Sequence, residues 1–336
     1  MTSTLRRAGG EGGVRLGDIV LRNRLVTSSS LLGYGRSSSG FYGMSPIALF
    51  VPLERFGAVT TRTLTVEPRE GHFTTREDWS PRELPGLLRR YATVLRGVDG
   101  GWMNAFGWCN VGIDAYLRDY YPATRAQRTI ISLGGFSAAE FVTLVDKVNA
   151  AVPAGDIAAV EFNVSCHNVN FDFSTILQDV LDEAVPRSNH PVILKLSPDY
   201  DYLRNAQQAA KAGVSALTAI NTVKALRLDP RTGTPFLANR YGGLSGRAIK
   251  PIALRVVSEL REAGVTLPII ATGGVRTIDD CREYFWAGAD AASVGSAVWL
   301  RSYPGYALAP VRAVQVRRLL RAIEPYSAHP IRRPAV

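Results

Sequence analysis

The sequence predicts an α/β protein, a (β/α)8 TIM barrel with a small N-terminal β-hairpin and insertions on the face that carries the strand C-termini. Three observations predict it. Eight short β-branched runs alternate with amphipathic helical stretches, the order that parallel strands joined by right-handed crossovers produce. The helical stretches stop at glycines, as at Gly213 and Gly288, where a left-handed residue ends a helix cheaply. The length of 336 residues exceeds an average domain but suits one barrel of roughly 250 residues or more with embellishments. An open doubly wound sheet is the other architecture that the alternation allows.

Taken in order, residues 1–13 read as a short disordered leader, 14–320 as one barrel domain and 321–336 as a tail. Val14 to Asn23 alternates about Gly17 and Asp18, two turn formers, and predicts the hairpin. The barrel runs are Leu25–Ser28, Ala58–Arg62, Thr129–Leu133, Ala158–Val164, Val192–Leu196, Ala216–Asn221, Pro268–Thr272 and Ala291–Val294. Between the third and fourth, Ser137 stands three residues before Glu140 at the head of AAEFVTLVDKVNAA, the spacing of a capping box. Two stretches break the repeat. Residues 67–101, with Pro68, Pro81 and Pro85 and the helical piece LPGLLRRYATVL, precede an extra apolar run, Trp102–Ala105. Lys224 to Arg247 is irregular and rich in Gly, Pro and Arg. Both insertions would lie where barrels bind substrates.

Composition narrows the function classes. Hydrophobic residues at 46% and a mean hydropathy of +0.02 describe an ordinary globular chain. The net charge of +10 comes mainly from scattered arginines, such as Arg36, Arg82, Arg118, Arg204 and Arg255; Arg317, Arg318 and Arg321 form a solvated helix face. No nucleic-acid footprint is expected from such scatter, and an anionic small molecule suits the charge better. Cys109, Cys166 and Cys281 lie far apart without a CxxC pair, so neither a disulfide framework nor a metal site is expected. With no signal-like run and no long apolar segment, the expected place is the cytoplasm, away from membranes.

A barrel gathers the ends of its strands around one pocket, and there the polar residues cluster. The second run ends at Thr61 and Arg62, the extra run at Asn104, the fourth in Asn163–Asn168, the fifth at Lys195, the sixth at Asn221 and Thr222. The seventh ends at Gly273 and Gly274, and the eighth at Gly295 and Ser296. Those glycines leave backbone N–H groups open to a phosphate. Lys195 places a cation in the barrel mouth, which calls for an anionic or electron-rich partner, or else for a structural salt bridge. Cys166, between Ser165 and His167, differs from Cys109 and Cys281 because its polar setting favours reactivity over packing.

These segments resemble the dihydroorotate dehydrogenase family, in its soluble class 1 type, from about Val14 to Trp299. NVSCHN, residues 163–168, is similar to the family's NLSCPN loop, in which class 1 members use the cysteine as base. The resemblance implies FMN, with its phosphate at Gly273, Gly274, Gly295 and Ser296, and with Ser29, Ser30 and Lys195 beside the flavin. YGGLSG, residues 241–246, resembles the family's GGIGG stretch and would bring Gly243, Ser245 and Gly246 to the cofactor. Asn104, Asn163, Asn168 and Asn221, with Thr222, match the groups that grip a pyrimidine ring. Cys166 would remove a proton next to a carbonyl while hydride leaves the adjacent carbon for flavin N5, and Lys195 would stabilise the reduced flavin. An unperturbed thiol pKa of about 8.5 suits that step at mildly alkaline pH. The resemblance also implies a homodimer and a place in or beside pyrimidine biosynthesis.

Departures collect on the substrate side. The family lysine after the second strand is Arg62 here, whose planar fork favours bidentate carboxylate binding and touches flavin and substrate in this reading. The proline of the family loop is His167, whose ring nitrogen could lower the thiol pKa, hydrogen-bond the substrate or simply face outward. NAFGWCN replaces NSMGLPN, so Phe106, Gly107 and Trp108 line the substrate and Trp108 and Cys109 stand where a small apolar residue and proline are expected. The expected substrate is thus dihydroorotate or a related cyclic amide or imide. Two alternatives from other classes are a tRNA-modifying FMN reductase and a flavin-free binding protein.

Overall fold

The computed structural model describes residues 13–29, 32–35, 51–72, 93–125, 127–296 and 309–328. Residues 1–12 of the leader, most of the LPGLLRRYATVL piece and Ser30 lie outside the described residues. Fourteen strands follow in chain order: β1 (Val14–Leu16), β2 (Ile19–Leu21), β3 (Leu25–Thr27), β4 (Ala58–Thr60), β5 (Leu95–Val98), β6 (Gly101–Asn104), β7 (Thr129–Leu133), β8 (Ala159–Phe162), β9 (Val192–Leu196), β10 (Ala216–Ala219), β11 (Val223–Leu226), β12 (Tyr241–Gly246), β13 (Ile269–Thr272) and β14 (Ala291–Val294). Eight of them close a parallel barrel in the order β10-β13-β14-β3-β4-β7-β8-β9. Its longer helices are α1 (Ala138–Ala151), α2 (Leu177–Ala184), α3 (Tyr202–Lys211), α4 (Lys250–Glu262), α5 (Ile278–Ala287) and α6 (Ala309–Ile323).

Period-two alternation divides each barrel strand between two environments. Val160 and Phe162 of β8, Leu194 and Leu196 of β9, and Leu217 of β10 pack outward among Phe141, Leu144 and Val148 of α1 and Val180 and Leu181 of α2. Their neighbours Ala159, Ile193 and Ala216 join Val26, Ala58, Ile130, Ile270 and Ala291 in a separate inner layer. The hairpin closes that layer from below, because Val14, Leu16, Ile19 and Leu21 belong to the same buried cluster. Burying each of those larger aliphatic side chains contributes roughly 1.5–3 kcal/mol. The hairpin turn needs φ of 58° at Gly17, as a tight turn with glycine in its first central position does.

One step higher along the same strands the inner positions turn polar. Ser132, Glu161, Lys195, Thr218, Thr272 and Ser293 are all buried, and above them the strand ends open into a cleft. The alternation therefore builds a closed apolar floor, a polar middle and an open top.

Several details differ from the sequence reading. The Trp102–Ala105 run and the irregular stretch after Lys224 come together as one antiparallel sheet of order β11-β12-β6-β5, with Asn104 opposite Gly243. The glycine-rich YGGLSG segment is strand β12 because Gly242 and Gly246 let its backbone lie against that of β6, where a Cβ would meet the Asn104 oxygen at 2.7 Å or the Gly101 Cα at 2.7 Å. The capping box at α1 is half formed: Ser137 accepts from the Glu140 N–H, but the Glu140 carboxylate accepts from Phe136 N–H. A reciprocal box stands instead at α5, between Thr277 and Asp280. At the C-terminal side α6 continues past residue 320 to Ile323, and Leu319, Leu320 and Ile323 join the main core. Arg317, Arg318 and Arg321 lie on its exposed face.

Candidate active site

The cleft occupies the C-terminal mouth of the barrel, a space of about 1080 Å³ that opens to solvent. Its lining brings together most of the residues singled out in the sequence: Ser29, Arg62, Asn104, Phe106, Gly107, Trp108, Asn163, Cys166, Asn168, Lys195, Asn221, Thr222, Ser245, Gly246, Gly273, Gly274, Gly295 and Ser296. Reasoning from sequence missed Ser28, Thr63, Ile220, Ile249, Thr272 and Val275, which also line it, as does Cys109, read from the sequence as a packing residue. Several of these stand one or two residues from a predicted position, where period two or the turn at a strand end makes neighbours share a face.

Among the described residues, two predicted site residues stand outside the lining. At Gly243 an added Cβ would lie 2.1 Å from the Thr222 hydroxyl, so this glycine permits close packing of β12, and its carbonyl accepts from the Asn104 amide at 3.1 Å. His167 is turned away, with its side chain buried and Nε2 2.8 Å from an Asp199 carboxylate oxygen.

Lys195 sits inside the barrel as the penultimate residue of β9. Its ammonium donates to Ser29 at 2.8 Å and pairs with the buried Glu161 at 3.4 Å. Glu161 lies on the inner side of β8, two residues before Asn163, and is met by the Ser132 hydroxyl at 3.1 Å and the Thr218 hydroxyl at 2.9 Å. Lys195 is thus both a cleft cation and half of a structural ion pair. Three contacts satisfy the carboxylate, the condition under which a buried charge is tolerated. The signal for Glu161 was available: a single carboxylate inside the apolar run AAVEFNV.

The asparagines form two hydrogen-bonded pairs, Asn163 with Asn221 and Asn168 with Asn104. Asn163 donates to the Thr63 hydroxyl at 2.8 Å, which is 3.1 Å from the Ser132 hydroxyl. Asn221 Nδ2 reaches the Asn163 Oδ1, the Ser165 carbonyl and the Ser165 hydroxyl at 3.0–3.2 Å. Asn168 donates to Asn104 Oδ1 at 3.0 Å, and its carbonyl meets the His72 ring at 2.8 Å. The amides on the two sides of Cys166 are therefore oriented before any ligand arrives.

Cys166 lines the cleft as a half-buried residue, less exposed than its polar neighbours in sequence suggest. Burial pushes its thiol up to about 11, against the opposing pull of the Asn168 N–H, the Lys195 charge and the Val169 N–H. At neutral pH the group is a thiol, and the expectation of an ordinary pKa is corrected. Cys281, wholly inside α5, is pushed up to about 12 by burial, and Cys109 is also buried.

On the opposite side, Gly273 and Gly274 adopt φ of 135° and 71°, open to glycine at no steric cost. A Cβ on Gly274 would stand 2.9 Å from the Gly246 carbonyl, and one on Gly273 would stand 2.9 Å from Ala253 Cβ. Ser28 bridges the two strands, 3.0 Å from the Thr272 hydroxyl and 2.9 Å from that of Ser293. Trp108 closes another wall with φ of 57°, a conformation that costs a bulky residue about 1–3 kcal/mol. Asn110 holds it there by donating to the Trp108 carbonyl at 2.8 Å, while Phe136 and Phe173 pack on the indole.

Comparison with known proteins agrees with this geometry. The family model described as dihydroorotate dehydrogenase matches residues 35–309. Catalytic subunits named dihydroorotate dehydrogenase B (NAD(+)) are similar throughout: that of Geobacillus kaustophilus is 35% identical over 294 residues, covering 84% of each chain. That of Geotalea daltonii is 35% identical over 85% of this chain and 87% of its own, and that of Trichlorobacter lovleyi 35% over 84% and 86%. With a barrel mouth of this composition and a match over most of its length, the chain belongs to the dihydroorotate dehydrogenase family.

Proposed function

We propose that the protein is an FMN-dependent oxidoreductase that oxidises dihydroorotate, or a closely related cyclic amide or imide, at a CH–CH bond. The observation that carries this reading is the meeting of Cys166, Lys195 and four asparagines, Asn104, Asn163, Asn168 and Asn221, on one cleft. Four amides suit a planar ring whose carbonyl and N–H edges alternate. The name shared by the relatives, which acts on dihydroorotate, supports the same substrate.

The residues present fit an FMN. The bare backbone at Gly273, Gly274, Gly295 and Ser296 suits its phosphate, and Ser29, Lys195, Ser245 and Gly246 line the space beside it. Bound there, FMN supplies the acceptor for a hydride, and the Lys195 cation favours the negative charge that reduction adds. The chain's own residues do the rest. The asparagines orient the ring, Arg62 offers a guanidinium to an anionic substituent, and Cys166, in the thiolate form that grows as pH rises, takes the proton from the carbon beside the carbonyl. As that proton reaches Sγ and hydride leaves the adjacent carbon, a double bond forms between the two carbons.

Among the described residues no helix is long and apolar enough to cross a membrane. The relatives are named catalytic subunits of NAD(+) enzymes, which supports a second subunit passing electrons to a nicotinamide; the homodimer rests on the family resemblance alone. The test is Cys166→Ala. The purified variant is expected to keep the flavin colour and to lose substrate-driven reduction by roughly 10²–10⁴-fold, the usual worth of a positioned base. Normal turnover by that variant would remove Cys166 from the role.

A further inference from the structure

His167 and Asp199 come from different strand ends, and their contact reaches the cysteine loop from behind. His167 opens the 3-10 turn His167–Val169, directly after Cys166. Its Nε2 lies 2.8 Å from Asp199 Oδ2 and 2.8 Å from the Ser197 hydroxyl. The ring stacks on Tyr200 with centroids 5.5 Å apart and an angle of 28°. Burial pushes the Asp199 carboxyl up, but the hydrogen bond from His167 and the Lys224 N–H outweigh it and hold the group below its ordinary value. An ionised carboxylate only accepts, so His167 carries a proton on Nε2 and donates it.

Asp199 has further ties. Its carboxylate accepts from the backbone N–H of Lys224 at 2.9 Å, and its own N–H donates to the Ser197 hydroxyl at 3.2 Å. Lys224 belongs to β11, directly after the cleft residues Asn221 and Thr222. Ser197 follows β9, two residues beyond the cleft cation Lys195. One buried imidazole thereby joins the cysteine loop to the ends of β9 and β10 and to the antiparallel sheet. On the cleft side Asn168 makes the complementary tie to Asn104. Cys166 is held between an anchor in front and an anchor behind.

We infer that His167 and Asp199 are positioning residues that fix the Cys166 loop over the cleft, and that neither touches the reacting atoms. This rests on the proposed role of Cys166. A loose loop would place the sulfur away from the proton it must take, and misplacement by about 1 Å can cost a hundredfold in rate. It would also bring the thiol into water. The charged and titratable groups that face Cys166 are Lys195 and Tyr200. Neither is removed by changing His167, so any change in thiol reactivity reports the loop.

The experiment compares wild type with His167→Ala and Asp199→Asn in two measurements. In the first, the rate at which iodoacetamide alkylates Cys166 is followed by peptide mass from pH 7 to 10, roughly spanning ordinary thiol values. This needs neither substrate nor bound flavin, and Cys281, buried inside α5 and outside the cleft lining, serves as the internal control. His167→Ala is expected to alkylate at Cys166 at least tenfold faster at about pH 8, with its pH midpoint moved down toward the ordinary thiol range. Asp199→Asn should move it the same way by less, since its amide oxygen still accepts from Nε2. In the second, substrate reduction of the flavin should slow at least tenfold in kcat, with KM within about threefold. Unchanged alkylation in both variants would overturn the inference, and so would a loss of activity unaccompanied by faster alkylation. If Cys166→Ala turns over normally while His167→Ala alkylates faster, the role of Cys166 fails and the anchoring stands.

Discussion

The two ends of the cleft are built on opposite plans. At β13 and β14 the lining is backbone: Gly273 and Gly274 hold positive φ, and Gly295 presents its α-carbon to Ser28. At β8 and β10 it is a lattice of side chains, in which Asn163, Asn221, Ser165 and Thr63 bond to one another. A backbone site demands little from sequence beyond the absence of a Cβ. A side-chain lattice demands several residues at once, because each amide is oriented by the next. The departures noted in the sequence, Arg62, Trp108 and His167, all fall away from the glycine-lined end: Arg62 and Trp108 line the cleft elsewhere, and His167 lies behind it.

Removing the charge between these two regions should do more harm than altering either. Glu161→Ala would leave the Lys195 ammonium with Ser29 as its remaining hydrogen-bond acceptor. Breaking a buried pair by deleting one partner costs about 3–5 kcal/mol, which urea unfolding of the flavin-free protein would show as a lower midpoint at constant slope. A loss below about 1 kcal/mol would mean that water enters and solvates the Lys195 ammonium left behind. On the glycine side, Gly274→Ala puts a Cβ 2.9 Å from the Gly246 carbonyl at φ of 71°. The expected cost is about 1–3 kcal/mol, together with weaker FMN retention on dialysis. A variant as stable and as yellow as wild type would show that this cradle yields more readily than its geometry implies.

The barrel itself was legible because period-two runs and glycine stops are local signals. The antiparallel sheet was not, because it pairs β6 with β12 from a distant part of the chain, and neither short strand has a partner recognisable in its own neighbourhood. The site divides in the same way. Asn163, Cys166 and Asn168 stand where a β run gives way to polar residues, and all three line the cleft. Glu161 was passed over because it lies within the run, although period two from Asn163 sets it on the same face. His167 was expected at the substrate because it adjoins Cys166. Its direction is set instead by Asp199 and Ser197, which belong to the next strand end and which no spacing in NVSCHN announces.

The sequence also suggested a thiol of ordinary acidity. What burial does to Cys166 depends on how the barrel mouth packs around it, which residue order does not reveal. That shift gives the most direct test of the central claim that Cys166 serves as the base on a dihydroorotate-like ring. Purified flavin-loaded protein would be mixed with saturating dihydroorotate without oxygen, and bleaching of the flavin timed across a range of pH. With the thiol pushed up to about 11, the thiolate grows as pH rises toward that value, so the account predicts bleaching whose rate increases about tenfold per pH unit over the approach. No bleaching at any pH, or a rate indifferent to pH, would contradict it.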